Sequence, residues 1–141
     1  WYWGYEYPDN GNFTYEAFMV QSEDELEEKK PFKRMLTTDT KVVVPVNKTI
    51  RMQITAADVL HSWAVPAFGV KKDAVPGRLN ETWFKPEKTG IFYGMCSELC
   101  GVNHQSMPIE IHVVTEQEFN DWVEESKLKY AAKNNLIANK K

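Results

Sequence analysis

The stretch "GIFYGMCSELCGVNHQSMPIEIHVV", Gly90 to Val114, decides what kind of fold this chain adopts. Its flanks, "GIFYG" (90–94) and "IEIHVV" (109–114), are rich in β-branched and aromatic residues, which suit a pleated, half-buried surface. Between them "CSELCGVNHQSM" holds both cysteines of the chain, one of its three histidines and a methionine. Gly101 and Asn103 crowd that segment and Pro108 closes it, so it reads as a loop between two strands. A helix would spread Cys96 and His104 over about 12 Å of axial rise. Metal–ligand bonds of about 2.0–2.3 Å would not span that.

Outward from this stretch the same pattern repeats. "KVVVPV" (41–46), "TIRMQIT" (49–55) and "ETWF" (81–84) read as further strands, and seven prolines scattered from Pro8 to Pro108 oppose long helices. Short strands separated by turn residues predict an all-β fold, an antiparallel sandwich or barrel. After Thr115 the prolines stop. Phe119, Trp122, Val123 and Tyr130 then recur near helical period, predicting one amphipathic helix of about four turns, opened near a Thr cap and closed by a frayed lysine-rich tail. The chain thus divides into a β domain over residues 1–115 and a helix with tail over 116–141. The charge run 21–34 is expected to be a solvated surface insertion.

Hydrophobic residues make up 43% of the 141 residues and charged residues 26%, the balance of one water-facing globular domain. A net charge of −3 argues against nucleic acid as a partner and favours a basic one. No run approaches the ~20 apolar residues of a membrane-spanning helix. The opening "WYWGYEY" is an aromatic cluster of the kind found at membrane–water interfaces, which predicts a membrane anchor just upstream.

Three chemistries compete for the cysteine loop. A disulfide between Cys96 and Cys100 would close a very short loop, gain little, and leave His104 and Met107 without a role. Structural zinc would use two cysteines and two histidines but has little use for Met107. Copper sites in β proteins combine histidine, cysteine and a weak methionine, which favours copper. Such a site needs a second imidazole. His112 alternates with Ile111 and Val113, so its ring is expected on the opposite face, toward solvent. His61, in "DVLHSWAVPAFGV", is apolar on both sides and supplies the better candidate, with Trp63 and Phe68 nearby to exclude water.

"CSELCGVNHQSM" together with "VLHSWAVPAFGVKKDAVPGR" closely resembles subunit II of the haem–copper cytochrome c oxidases, and "WYWGYEY" resembles the aromatic segment of that subunit. The resemblance runs from Trp1 to Trp122. It implies a cupredoxin-like Greek-key β-sandwich carrying a dinuclear copper centre of the type called CuA. In that centre Cys96 and Cys100 would bridge two copper ions and His61 and His104 would each bind one. Met107 and the backbone carbonyl of Glu98 would be weak ligands. The copper domain of nitrous oxide reductase shares the loop spacing and stands as the alternative, with a copper-delivery or zinc protein behind it.

The same resemblance implies partners and a place. Electrons would come from cytochrome c, enter at Trp1 with Tyr2 beside it, and leave for haem in subunit I, where oxygen is reduced. Glu6, Asp9, Asp39 and Asp58 would steer the basic donor. The Glu98 carboxylate would share a magnesium ion with subunit I. The domain would stand on the periplasmic face of a bacterial inner membrane, or on the intermembrane-space face of the mitochondrial one, with the bacterial setting favoured.

Overall fold

The computed structural model describes the backbone of residues 1–138 and the side chains of residues 1–131, so most of the expected lysine-rich tail lies outside the described residues. A hairpin of β1 (Trp3–Tyr7) and β2 (Phe13–Ala17) comes first. The long excursion that follows leads into β3 (Val42–Pro45), β4 (Ile50–Ile54), β5 (His61–Val65), β6 (Val70–Ala74), β7 (Asn80–Phe84), β8 (Gly90–Cys96) and β9 (Pro108–Val114), before α1 (Glu116–Ala138). Five strands form one curled sheet in the order β3-β9-β8-β5-β6, while β4 and β7 pair separately.

The β-sandwich with a C-terminal helix is as expected; its strand directions are not all antiparallel. β3 and β9 run parallel, with Val42 opposite Ile111 and Val44 opposite Val113. The chain leaves the five-stranded sheet after β3 to build β4, and its last strand closes beside β3 in the same direction. Four strands were not anticipated from the sequence: β1, β2, β5 and β6. β1 does alternate, with Trp3, Tyr5 and Tyr7 on its more buried face, but its aromatic run reads equally as an interfacial cluster. β5 is buried on both faces and so lacks the alternation that marks a half-buried strand.

Alternation sets which residues meet. One face of β3, β9, β8 and β5 points inward with Val42, Val44, Ile109, Ile111, Val113, Cys96, Trp63 and Val65, which form the main core with Ile54 and Phe84 of the opposing pair. The other face carries a second, aromatic cluster of Phe13, Tyr15, Val43, Phe119, Val123 and Tyr130, where α1 docks. The helix begins in a capping box: Glu118 accepts from the Thr115 backbone N–H at 2.8 Å, while the Thr115 hydroxyl accepts from the Glu118 N–H at 3.3 Å. At 23 residues it is longer than the four turns predicted. The apolar stripe ends near Tyr130, yet the backbone continues helical to Ala138.

The charged excursion departs most from expectation. Most of it is exposed, with only a short 3-10 turn at Glu23–Glu25. Lys30, however, turns inward. Its ammonium donates to Glu110 Oε2 at 2.6 Å and to the Thr38 carbonyl at 2.6 Å, and the two charged side chains are 6% and 0% exposed. His112 shares that acceptor at 3.1 Å and is only 15% exposed. Its ring does face away from Ile111, but the excursion covers that face, so it meets a carboxylate instead of water.

The β1–β2 hairpin buries three tyrosine hydroxyls. Tyr7 donates to the Val43 carbonyl at 2.9 Å and Tyr15 to the Lys41 carbonyl at 2.8 Å, while Tyr5 accepts from the Trp63 indole at 3.4 Å. Burial pushes the Tyr7 phenol up to about 12, and Tyr5 and Tyr15 upward as well. Folding therefore favours the protonated phenol, whose unfolded pKa is about 10. Stability should be level below about pH 10 and fall above it, by up to about 1.4 kcal/mol per pH unit for each buried tyrosine. Urea titrations between neutral pH and the alkaline range check this; a flat profile to pH 12 would contradict it.

Candidate metal centre

The site lies at one end of the five-stranded sheet, and strand pairing puts it there. β5 and β8 are antiparallel, with Trp63 opposite Cys96, so the start of β5 (His61) and the end of β8 (Cys96) reach the same edge. β9 begins beside that edge, with Pro108 opposite Met95, which brings Met107 alongside. Gly94 makes the approach close enough. A Cβ at that position would lie 2.0 Å from the Ala64 carbonyl oxygen, so any larger residue would force β5 away from β8.

The donors converge around Cys100. Its sulfur is 3.8 Å from Cys96 Sγ, 3.4 Å from His104 Nδ1 and 3.7 Å from Met107 Sδ. Cys96 Sγ is in turn 4.0 Å from His61 Nδ1 and 3.3 Å from the Glu98 carbonyl oxygen. Among the described residues, His61, Cys96 and Cys100 are the group of buried ligand atoms that lie within 4.8 Å of one another. Both cysteines are free, so the disulfide is set aside, and the loop between them and Met107 is irregular apart from a 3-10 turn at His104–Ser106.

This set fits a soft metal. It offers two thiols, two imidazole nitrogens, a thioether and one carbonyl, all next to each other. No carboxylate stands among these donors, which disfavours magnesium or calcium in the same place. Burial, with Cys96 beside it, pushes the Cys100 thiol up to about 11. The metal-free loop therefore holds a protonated thiol at neutral pH, and metal binding must expel that proton.

His61 is oriented from behind. Its Nε2 is 2.9 Å from Asp58 Oδ1, which puts the ring proton on Nε2 and leaves the Nδ1 lone pair facing Cys96. The His61 ring and the Val59 N–H hold the Asp58 carboxyl below the usual carboxylate range. Two tryptophans close the site. The Trp1 ring meets His61 edge-on at 5.2 Å and lies over Gly101, while Trp3 meets His61 at 6.1 Å and donates its indole N–H to the Met107 carbonyl at 3.1 Å.

The other anticipated residues are spread more widely. Tyr2 packs on Phe18 at 4.7 Å, at the rim of an open cleft that also holds Glu6, Glu16 and Asp39. Asp39 accepts from the Phe18 N–H at 2.8 Å, and Asp9 sits in the β1–β2 turn, at the opposite end of β1 from Trp3. Trp63 is buried beside Cys96, but Phe68 stacks on Phe84 at 4.7 Å in the core and forms no wall of the site. Sequence reasoning missed Trp3. Its signal was the "WYW" repeat, which places Trp1 and Trp3 on one face of a strand.

A buried Cys–His–Met cluster at the end of a curled β-sandwich defines a cupredoxin-like metal domain. Residues 1–114 match the family described as cytochrome C oxidase subunit II, periplasmic domain, and the chain belongs to that family. It is 49% identical over 142 residues to cytochrome c oxidase subunit 2 of Cereibacter sphaeroides, an alignment covering 90% of this chain and 46% of that protein. The chain therefore spans under half the length of that relative. Its fold matches the crystal structure of the periplasmic domain of subunit II of cytochrome oxidase from Bradyrhizobium japonicum, with a TM-score of 0.84 and 59% identity over 92% of this chain and 88% of that one. A second solved structure is a mixed disulfide intermediate between a thioredoxin-like protein and subunit II of cytochrome c oxidase. It matches with a TM-score of 0.77 and 55% identity, over 92% of this chain and 86% of that one. The family match runs through β1 as well as the loop, so the nitrous oxide reductase and zinc alternatives are not favoured.

Proposed function

We propose that this domain is the electron-accepting part of a cytochrome c oxidase, taking electrons from reduced cytochrome c and delivering them to haem in subunit I, where oxygen is reduced. The observation that carries this reading is the gathering of six donors around Cys96 and Cys100 in a chain of the subunit II family. Two copper ions would be held there by His61, Cys96, Glu98, Cys100, His104 and Met107, and would supply one-electron redox chemistry. The chain's own part is to fix those donors in a rigid sandwich, to orient His61 through Asp58, and to exclude water with Trp1 and Trp3.

The surface suits two partners. Glu6 and Asp58 are exposed, Asp58 beside the His61 ring that Trp1 meets, and would draw in a basic donor. Around the loop, Leu99 and Val102 are 79% and 91% exposed, an apolar rim that fits a second protein surface such as subunit I. The half-buried Glu98 would direct its carboxylate to that interface and contribute one ligand to a shared magnesium ion. The setting would be the periplasmic face of a bacterial inner membrane, where a thioredoxin-like reductant would keep Cys96 and Cys100 as thiols before copper loading.

Stopped-flow mixing of the copper-loaded domain with reduced cytochrome c tests the reading. Oxidation of the cytochrome should be fast at low salt and slow by roughly tenfold or more as ionic strength rises through the physiological range. Trp1→Phe should lower the rate without abolishing the salt dependence. A slow reaction indifferent to salt would refute the assignment of cytochrome c as donor.

A further inference from the structure

We propose that Trp3 is a positioning residue for Met107, acting through the hydrogen bond from its indole N–H to the Met107 carbonyl. This inference rests on the ligand assignment above. The bond joins residues 104 positions apart, is 3.1 Å long, and lies out of water, with Trp3 and Met107 7% and 2% exposed. It ties the first strand of the chain to the far end of the donor loop.

Methionine makes such an anchor consequential. Its side chain is unbranched, with three rotatable bonds, and does not place its own sulfur. The thioether stands 3.7 Å from Cys100 Sγ at the point where the 3-10 turn of His104–Ser106 hands over to β9. Pro108 follows at once and has no N–H to donate across the sheet. The Trp3 indole supplies an anchor at that junction, orienting the Met107 peptide plane from which the side chain departs. The same ring touches His61 at 6.1 Å, so one residue braces both sides of the donor set. Removing the N–H while keeping an aromatic ring should leave the sandwich folded but release the thioether.

Trp3→Phe separates bond from bulk, and Met107→Leu supplies the second arm of a double-mutant cycle. In the metal-free protein, Trp3→Phe should shift and broaden the Met107 methyl resonance while circular dichroism stays unchanged. In the copper-loaded protein it should alter the electron paramagnetic resonance spectrum and the midpoint potential, and both changes should vanish in a Met107→Leu background. Equal changes in both backgrounds would make Trp3 a general structural residue and overturn the proposal. So would an unmoved methyl resonance. If Trp3→Phe does not fold, hydrogen exchange of the wild-type indoles decides: Trp3 should exchange orders of magnitude more slowly than the exposed Trp83, and equal rates would overturn the bond. A wild-type protein that never forms a two-copper centre would refute the ligand assignment instead, while the metal-free methyl shift still tests the bond.

Discussion

Serine in place of Cys100 is expected to abolish the proposed dinuclear copper centre while leaving the fold intact. Cys100 Sγ is the most connected donor of the site, within 3.8 Å of Cys96 Sγ, His104 Nδ1 and Met107 Sδ. A serine oxygen is hard, binds soft copper poorly and would not replace the soft thiolate proposed to hold copper here. Copper bound per chain should drop from two to one or none, and the mixed-valence absorption should vanish. Thermal unfolding of the metal-free variant should be nearly unchanged, because the sulfur-to-oxygen swap alters little volume. Retention of the wild-type spectrum would mean that Cys100 is not a ligand.

The second large effect lies in the charged excursion. Lys30→Met should destabilise the domain by about 3–5 kcal/mol, because it leaves the buried Glu110 carboxylate without its cation. Among the described residues Glu110 Oε1 has no hydrogen-bond partner, and without Lys30 the Oε2 atom would keep only its contact with His112 at 3.1 Å. By contrast, breaking the exposed Arg51–Glu81 pair should cost less than about 1 kcal/mol. Replacing Lys30 and Glu110 together by Met and Leu should recover most of the loss, since buried pairs are often matched by well-packed apolar residues. Urea midpoints for the single and double variants measure this. A single variant as stable as wild type would make residues 21–34 the plain solvated insertion that their composition suggests.

That contrast marks what a linear reading could reach. The β-sandwich was legible because five of its strands carry alternation or β-branched runs, and the loop was legible because Gly101, Asn103 and Pro108 interrupt them. β5 was hidden by its burial on both faces, and β1 by aromatic residues that serve equally at an interface and in a core. The soft donor set was legible from composition and spacing, with His61 found because the loop lacked one imidazole. Long-range pairing was not legible. Nothing near Glu110 in sequence announces Lys30, 80 positions away, and nothing near Met107 announces Trp3. Those contacts are made by folding, and local pattern does not encode them.

Asp58 shows a related limit. As a sequence feature it is an acid suited to steering a basic partner, and its side chain is indeed 45% exposed. The same carboxylate fixes the tautomer of His61 at 2.9 Å. The proposed steering role and the observed orientation of His61 thus fall on one residue, and only the second depends on geometry.

The most direct test of the account is copper analysis with electron paramagnetic resonance on the reconstituted wild-type domain. The account predicts two coppers per chain sharing one unpaired electron, with hyperfine structure from two equivalent nuclei. A single copper with the spectrum of a mononuclear site, or a preference for colourless zinc, would contradict it.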